Sequence, residues 1–256
     1  MSWMARYGKT WPGKTKETDM MNDLMTIIRQ RYSEREPFDS NRQVPTADVE
    51  KILEGARWAP TSHNMQNFEI VVVDDERLLN RLGNLNTIPS PEFIRENFEQ
   101  LSMTEKELAQ KKVGILGTQF PPAWQDKAQL ESAIKERMPL NLGRLINGAP
   151  TILILLYDTR KRAPASPGDL LGAVSLGAVM ENMWLVAQSL DIGFQILSMF
   201  GSPVQKEVKK IMGIPDHMAV LFAIRLGYPF TRSEALRVRR ETDSFAHRNE
   251  YGTMDK

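Results

Sequence analysis

Apolar residues recur at helical spacing from Asp19 onward, at Met20, Leu24, Ile27 and Ile28, which predicts a helix ending near Arg31. A polar connector, Tyr32 to Pro45, leads to a second helical period at Val49, Ile52, Leu53 and Ala56. Thr46 is expected to cap this helix, which should end near Trp58. A loop from Ala59 to Asn67 precedes FEIVVV, a β-branched run closed by Asp74 and Asp75 that reads as a buried strand. TILILLYD and MAVLFAIRLG give two more apolar strands, and Gly193–Leu197 a short one. Leu170 to Leu190 is the most apolar long helix and is placed at the centre, and Pro203 opens another helix running to Met212.

Strands separated by helices predict an α/β or α+β layered domain with the apolar strands in one sheet between helices. Residues 1–18 have no apolar period and read as an extended arm; residues 19–256 read as one domain. Within it, Pro89, Pro91, Pro121, Pro122 and Pro139 interrupt short helical patterns, so residues 84–146 are expected to form a lid or insertion. Residues 229–256 form a polar, arginine-rich tail.

Composition narrows the chemistry. A 41% hydrophobic and 25% charged content suits an ordinary globular protein, and 33 Lys+Arg against 32 Asp+Glu argue against a nucleic-acid or acidic-membrane partner. With 0 cysteines there is no disulfide, thiolate nucleophile or Cys-ligated metal. His63, His217 and His247 are too scattered to suggest a metal site. Purely apolar runs fall well short of the ~20 residues of a membrane helix. The polar, basic start also lacks the apolar segment of a secretory signal, so a soluble, cytoplasmic protein is expected.

Gly8–Thr15 spells the phosphate-loop pattern G-x-x-x-x-G-K-T, which would imply an NTPase. That chemistry needs a buried strand before the loop and a helix after it. MSWMARY is a poor buried strand and no convincing apolar helix opens at Lys14, so the match is read as chance in a basic arm.

Two segments carry more. Arg31, Tyr32, Ser33, Glu34 and Arg35 put two guanidiniums and a serine hydroxyl within five residues, a compact anion site. Pro60, Thr61, Ser62, His63, Asn64, Met65 and Gln66 pack hydroxyls and amides into one loop, and amides match the donor–acceptor edge of a heterocycle. Taken singly, each reads as well as a solvated helix end or a capped turn. Together, in this order, they resemble the nitroreductase family of flavoenzymes, whose members carry an R-x-S-x-R/K element and then an A-P-S-x-x-N-x-Q loop. Ser175–Asn182, Asp191–Ser198, and Arg237-Val238-Arg239 with His247 and Asn249–Gly252 are similar to that family's central helix, flavin-ring loop and phosphate-binding tail.

The resemblance implies an α+β, three-layer fold: a mixed, mostly antiparallel sheet flanked by helices, in an intertwined homodimer with exchanged C-terminal tails. It implies FMN as cofactor, NADH or NADPH as transient reductant, and a small-molecule electron acceptor of nitroaromatic or quinone type reduced by a ping-pong mechanism. Flavin N5 would carry the chemistry, so no side chain is assigned a catalytic role and no metal is expected. By position, Arg31, Ser33 and Arg239 would hold the phosphate with Arg237 nearby, Tyr32 would join them in the cofactor site, and Arg35 would face the pyrimidine edge. Pro60, Thr61, Ser62, Asn64 and Gln66 would reach the ring or ribityl chain, partly from the second subunit, and Ile196, Leu197 and Ser198 would run along the ring.

From Arg225 to Arg240, five arginines face Glu234 alone, a local charge of +4 suited to a phosphate. Ser175 stands where many members have Asp, Ser198 where some have Glu, and Phe68 follows Asn67 where Pro-Trp is frequent. Reductive dehalogenation, flavin fragmentation and flavin binding without turnover therefore remain open as alternatives.

Overall fold

The computed structural model describes residues 17–95, 106, 110, 126–137, 139–198, 202–231 and 239–252. The arm with its Gly8–Thr15 motif, much of the proposed lid, and Arg237 lie outside these residues.

Among the described residues the α-helices are α1 (Glu17–Gln30), α2 (Thr46–Arg57), α3 (Glu76–Gly83), α4 (Leu130–Glu136), α5 (Leu142–Ile146), α6 (Leu170–Ser189) and α7 (Ser202–Met212). The strands are β1 (Phe68–Val73), β2 (Asn86–Thr87), β3 (Leu140–Asn141), β4 (Thr151–Asp158), β5 (Gly193–Leu197) and β6 (Met218–Gly227). The main sheet has the order β1-β4-β6-β5, and all its pairings are antiparallel.

Side-chain alternation along β4 explains the layers. Ile152, Ile154 and Leu156 face one way and pack with Leu82 of α3, Leu142 of α5 and Val204 and Val208 of α7. Leu153 and Leu155 face the other way, with Val49, Ile52 and Ala56 of α2 and Val179, Met183 and Ala187 of α6. A strand covered on both faces needs a continuous apolar run, which TILILLYD supplies. Each such side chain contributes about 1.5–3 kcal/mol on full burial. The α+β, three-layer architecture is thus as expected, with a sheet that is antiparallel throughout the described strands.

Several local expectations are corrected. β1 is half-buried except for exposed Glu69 and buried Val73, because it is the outermost strand of the described sheet. Thr46 is the first helical residue rather than the cap: Pro45 takes that position, its carbonyl accepting from the Asp48 and Val49 amides, and no side chain caps α2. The stretch 84–146 is not all insertion. β2 pairs with β3, and Leu142 is buried in the core, so its C-terminal end belongs to the body of the domain. The helical stretch Pro167–Ser189 is long and apolar enough to cross a membrane by length and composition, although no purely apolar run suggested it. Here it packs against α2, α1 and β5.

Candidate functional site

α1 ends where the Arg31 amide donates to the Ile27 carbonyl at 2.8 Å. The polar run that follows has no apolar period to continue the helix, and it extends along the sheet edge instead. There the Glu34 amide donates to the Phe194 carbonyl of β5 at 2.9 Å, so residues 31–36 form a strap beside that strand. Glu34 is fully buried; its carboxylate accepts from the Tyr32 hydroxyl at 2.7 Å and from the Glu36 amide at 2.9 Å.

Arg225 fastens the strap from below. Its Nη2 donates to the carbonyls of Glu34 at 2.9 Å and Glu36 at 3.1 Å, its Nε donates to Gln195 Oε1, and its guanidinium lies 4.5 Å from the Phe38 ring centroid. Burial pushes its pKa down to about 10, opposed by the charges of Glu34 and Glu36. It therefore remains a cation at neutral pH. The count of +4 for the tail needs correction, since Arg225 is 0% exposed inside β6 and cannot meet a soluble anion.

Arg31 leaves the strap toward α6. Its Nε lies 3.1 Å from Glu181 Oε1, and its guanidinium carbon lies 4.3 Å from the Trp184 ring centroid. Trp184 also donates through Nε1 to the Tyr32 carbonyl at 3.2 Å and stacks on Phe194 with centroids 4.9 Å apart. Ser33 and Arg35 are half-buried. Desolvation lowers the Arg35 pKa, with the Glu34 charge opposing it.

The second segment is a compact turn. His63, Asn64 and Gln66 all adopt left-handed backbone, at φ 53, 53 and 43, a conformation tolerated best by glycine and asparagine. Local hydrogen bonds hold it. The Gln66 amide donates to Thr61 Oγ1 at 3.1 Å, and Gln66 Nε2 donates to Asn64 Oδ1 at 3.1 Å. The turn docks on α6: the Ser62 amide donates to Ser175 Oγ at 2.9 Å, and Ser62 Oγ donates to the Leu171 carbonyl at 3.2 Å. Pro60, Asn64 and Gln66 are exposed; Thr61 and Ser62 are half-buried.

The sequence-selected residues thus fall into three places. Arg31, Tyr32, Ser33 and Arg35 lie on the strap, next to the strand that carries Ile196 and Leu197 and ends at exposed Ser198. Leu197 turns its side chain into the core, leaving its backbone for any ligand contact. Thr61, Ser62 and their neighbours lean on an earlier part of α6. Arg239 lies in the tail, where every residue of 239–252 is exposed.

Sequence reasoning missed Arg225 and the Glu181–Trp184 slot. The signal for Arg225 was a lone cation inside an apolar strand, since such residues are rarely buried without partners.

Comparison with known proteins fixes the relationship. The model described as Nitroreductase family matches residues 28–228. The chain belongs to the nitroreductase family. It is similar to a protein of Archaeoglobus fulgidus whose name covers NADH dehydrogenase and NAD(P)H nitroreductase, 22% identical over 210 residues, 82% of this chain and 87% of that one. An NADPH-flavin oxidoreductase of Vibrio harveyi is 29% identical over 119 residues, covering 43% of this chain and 48% of that one. A solved nitroreductase with bound FMN from Desulfitobacterium hafniense shares the fold, with a TM-score of 0.52 at 22% identity, 88% of this chain and 96% of that one.

Proposed function

We propose that the chain is an FMN-dependent oxidoreductase that passes reducing equivalents from NADH or NADPH to a small nitroaromatic or quinone-like acceptor. The observation that carries this is the strap: Arg31, Ser33 and Arg35 are held against β5 by the Glu34–Phe194 hydrogen bond and the Arg225 contacts. The donor set fits the cofactor. Guanidiniums suit a phosphate dianion, and a half-desolvated cation such as Arg35 suits the negative charge that a reduced ring gathers at its pyrimidine edge.

Arg31, Ser33 and Arg239 would bind the phosphate, with Arg237 nearby and Tyr32, on the strap, tied to α6 through its carbonyl. Arg35 would face the pyrimidine edge, and the backbone of Ile196, Leu197 and Ser198 would border the ring. When bound, the flavin supplies the two-electron chemistry. The kinetic order is ping-pong, with nicotinamide and acceptor occupying the site in turn.

The working unit of this reading is a homodimer. Leu24, Met25 and Ile28 of α1 and Leu170, Leu171 and Val174 of α6 are exposed apolar residues on two touching helices, an arrangement that calls for a cover. Strap and turn also lean on different parts of α6, Glu181 and Trp184 against Leu171 and Ser175. From Ser175 to Glu181 the helix rises about 9 Å, which favours the turn reaching the flavin of the second subunit. The cytoplasm, where NAD(P)H is supplied, is the compartment this reading assigns.

The test is direct. Purified protein should release FMN on denaturation, and it should oxidise NADH or NADPH faster with a nitroaromatic or quinone than without. A colourless protein that cannot be reconstituted with FMN would overturn the proposal.

A further inference from the structure

We infer that Glu181 is a built-in competitor for the anion that Arg31 binds, setting how tightly the site takes a phosphorylated cofactor. The inference rests on the proposed role of Arg31 in phosphate binding. Glu181 and Trp184 sit three residues apart on α6, on one face and one turn from each other. They form a slot of carboxylate and indole in which the Arg31 guanidinium lies, 3.1 Å from Glu181 Oε1 and 4.3 Å from the Trp184 centroid. Neither side chain is fully enclosed, at 22% exposure for Arg31 and 38% for Glu181; Arg31 Nε itself is buried, so an incoming anion would approach the exposed part of the guanidinium.

A phosphate arriving at Arg31 meets two opposing effects. It must take a share of a guanidinium already neutralised by Glu181, and its negative charge is repelled by that carboxylate. The indole presents no such conflict, since a cation–π contact leaves the N–H donors directed outward. Trp184 therefore positions Arg31 while Glu181 weakens its hold on anions. Glu34 is turned inward, engaged by the Tyr32 hydroxyl and the Glu36 amide.

The prediction has an unusual sign, because removing an ion pair should improve binding. Glu181→Gln keeps the side-chain shape and removes the charge. Apoprotein carrying it should bind FMN roughly 1.5- to 5-fold more tightly than wild type, judged against exposed ion pairs. Riboflavin, which has no phosphate, should bind both proteins equally. Inorganic phosphate alone should raise the melting temperature of Glu181→Gln apoprotein more than that of wild type. Glu181→Asp, whose shorter arm withdraws from Nε, should give a smaller gain and serves if the first variant does not fold.

Unchanged or weaker FMN binding in these variants overturns the inference; weaker binding would make Glu181 a residue that orients Arg31 for the phosphate. If Arg31→Ala leaves FMN affinity intact, the phosphate role of Arg31 itself has failed, which is a separate outcome.

Discussion

Arg225 and Glu34 are 191 residues apart in sequence and joined by a 2.9 Å hydrogen bond from Nη2 to the main-chain carbonyl. A buried cation here spends its donors on backbone oxygens and the Gln195 amide oxygen rather than on a carboxylate. That choice fixes the course of residues 34–36 whatever the state of the side chains above them.

Replacing Arg225 with Met should therefore leave the Glu34 and Glu36 carbonyls without their donor. A stability loss of about 2–4 kcal/mol is expected in urea unfolding, since hydrogen bonds to charged groups contribute about 1.5–3 kcal/mol each and part of the loss is regained from apolar packing. A variant within about 0.5 kcal/mol of wild type would mean that the strap is held by its other contacts.

Asp158 gives a pH signature. Its carboxylate accepts from Arg160 Nε at 3.0 Å and Nη2 at 3.1 Å, which draws its pKa from 3.8 down to about 2. The folded chain thus prefers the ionised form. The stabilisation is complete above pH 3.8 and disappears as pH falls through about 2. The melting-temperature difference between wild type and Asp158→Asn should be constant at neutral pH and shrink only in that acid window. A difference that changes instead around pH 6–7 would assign the effect to another group.

For the tail, Arg239→Ala should weaken FMN binding roughly 10- to 150-fold, the equivalent of about 1.5–3 kcal/mol for a charge-assisted hydrogen bond. Riboflavin affinity should stay at the wild-type value. Equal loss for both ligands would show that the residue supports folding or assembly rather than the phosphate.

Val174, 60% exposed on α6, tests the assembly. Val174→Glu places a charge in the proposed subunit contact and should raise the dimer dissociation constant roughly 30-fold or more, about 2 kcal/mol. Sedimentation should then show monomer at micromolar protein. An unaltered dimer would move the contact elsewhere on the surface.

The elements were legible wherever a residue's fate depends on its near neighbours. The runs FEIVVV, TILILLYD and MAVLFAIRLG became adjacent strands because β-branched and aliphatic side chains fit a pleated, covered surface. The segments Arg31–Arg35 and Pro60–Gln66 stood out by residue type, but guanidiniums and amides alone fit a solvated helix end or a capped turn equally well, and only their order along the chain singled them out. What failed to show was pairing across distance. Arg225 looked like the first arginine of a basic tail because its partners, Gln195 and the Glu34 carbonyl, lie 30 and 191 positions away. Glu181 read as one letter in a helix motif, with nothing to mark it as the neighbour of Arg31, 150 positions earlier. The contact of β2 with β3 joins two dipeptides too short to carry a period of their own.

Because the turn rests on Leu171 and Ser175 while the strap rests on Glu181 and Trp184, α6 works as a rigid gauge. One residue inserted between positions 175 and 181 would advance the far end by about 1.5 Å and swing it by about 100°. Either contact set could then be kept, but not both. Loops around this helix are free to lengthen and drift, whereas its residue count between the two supports is locked.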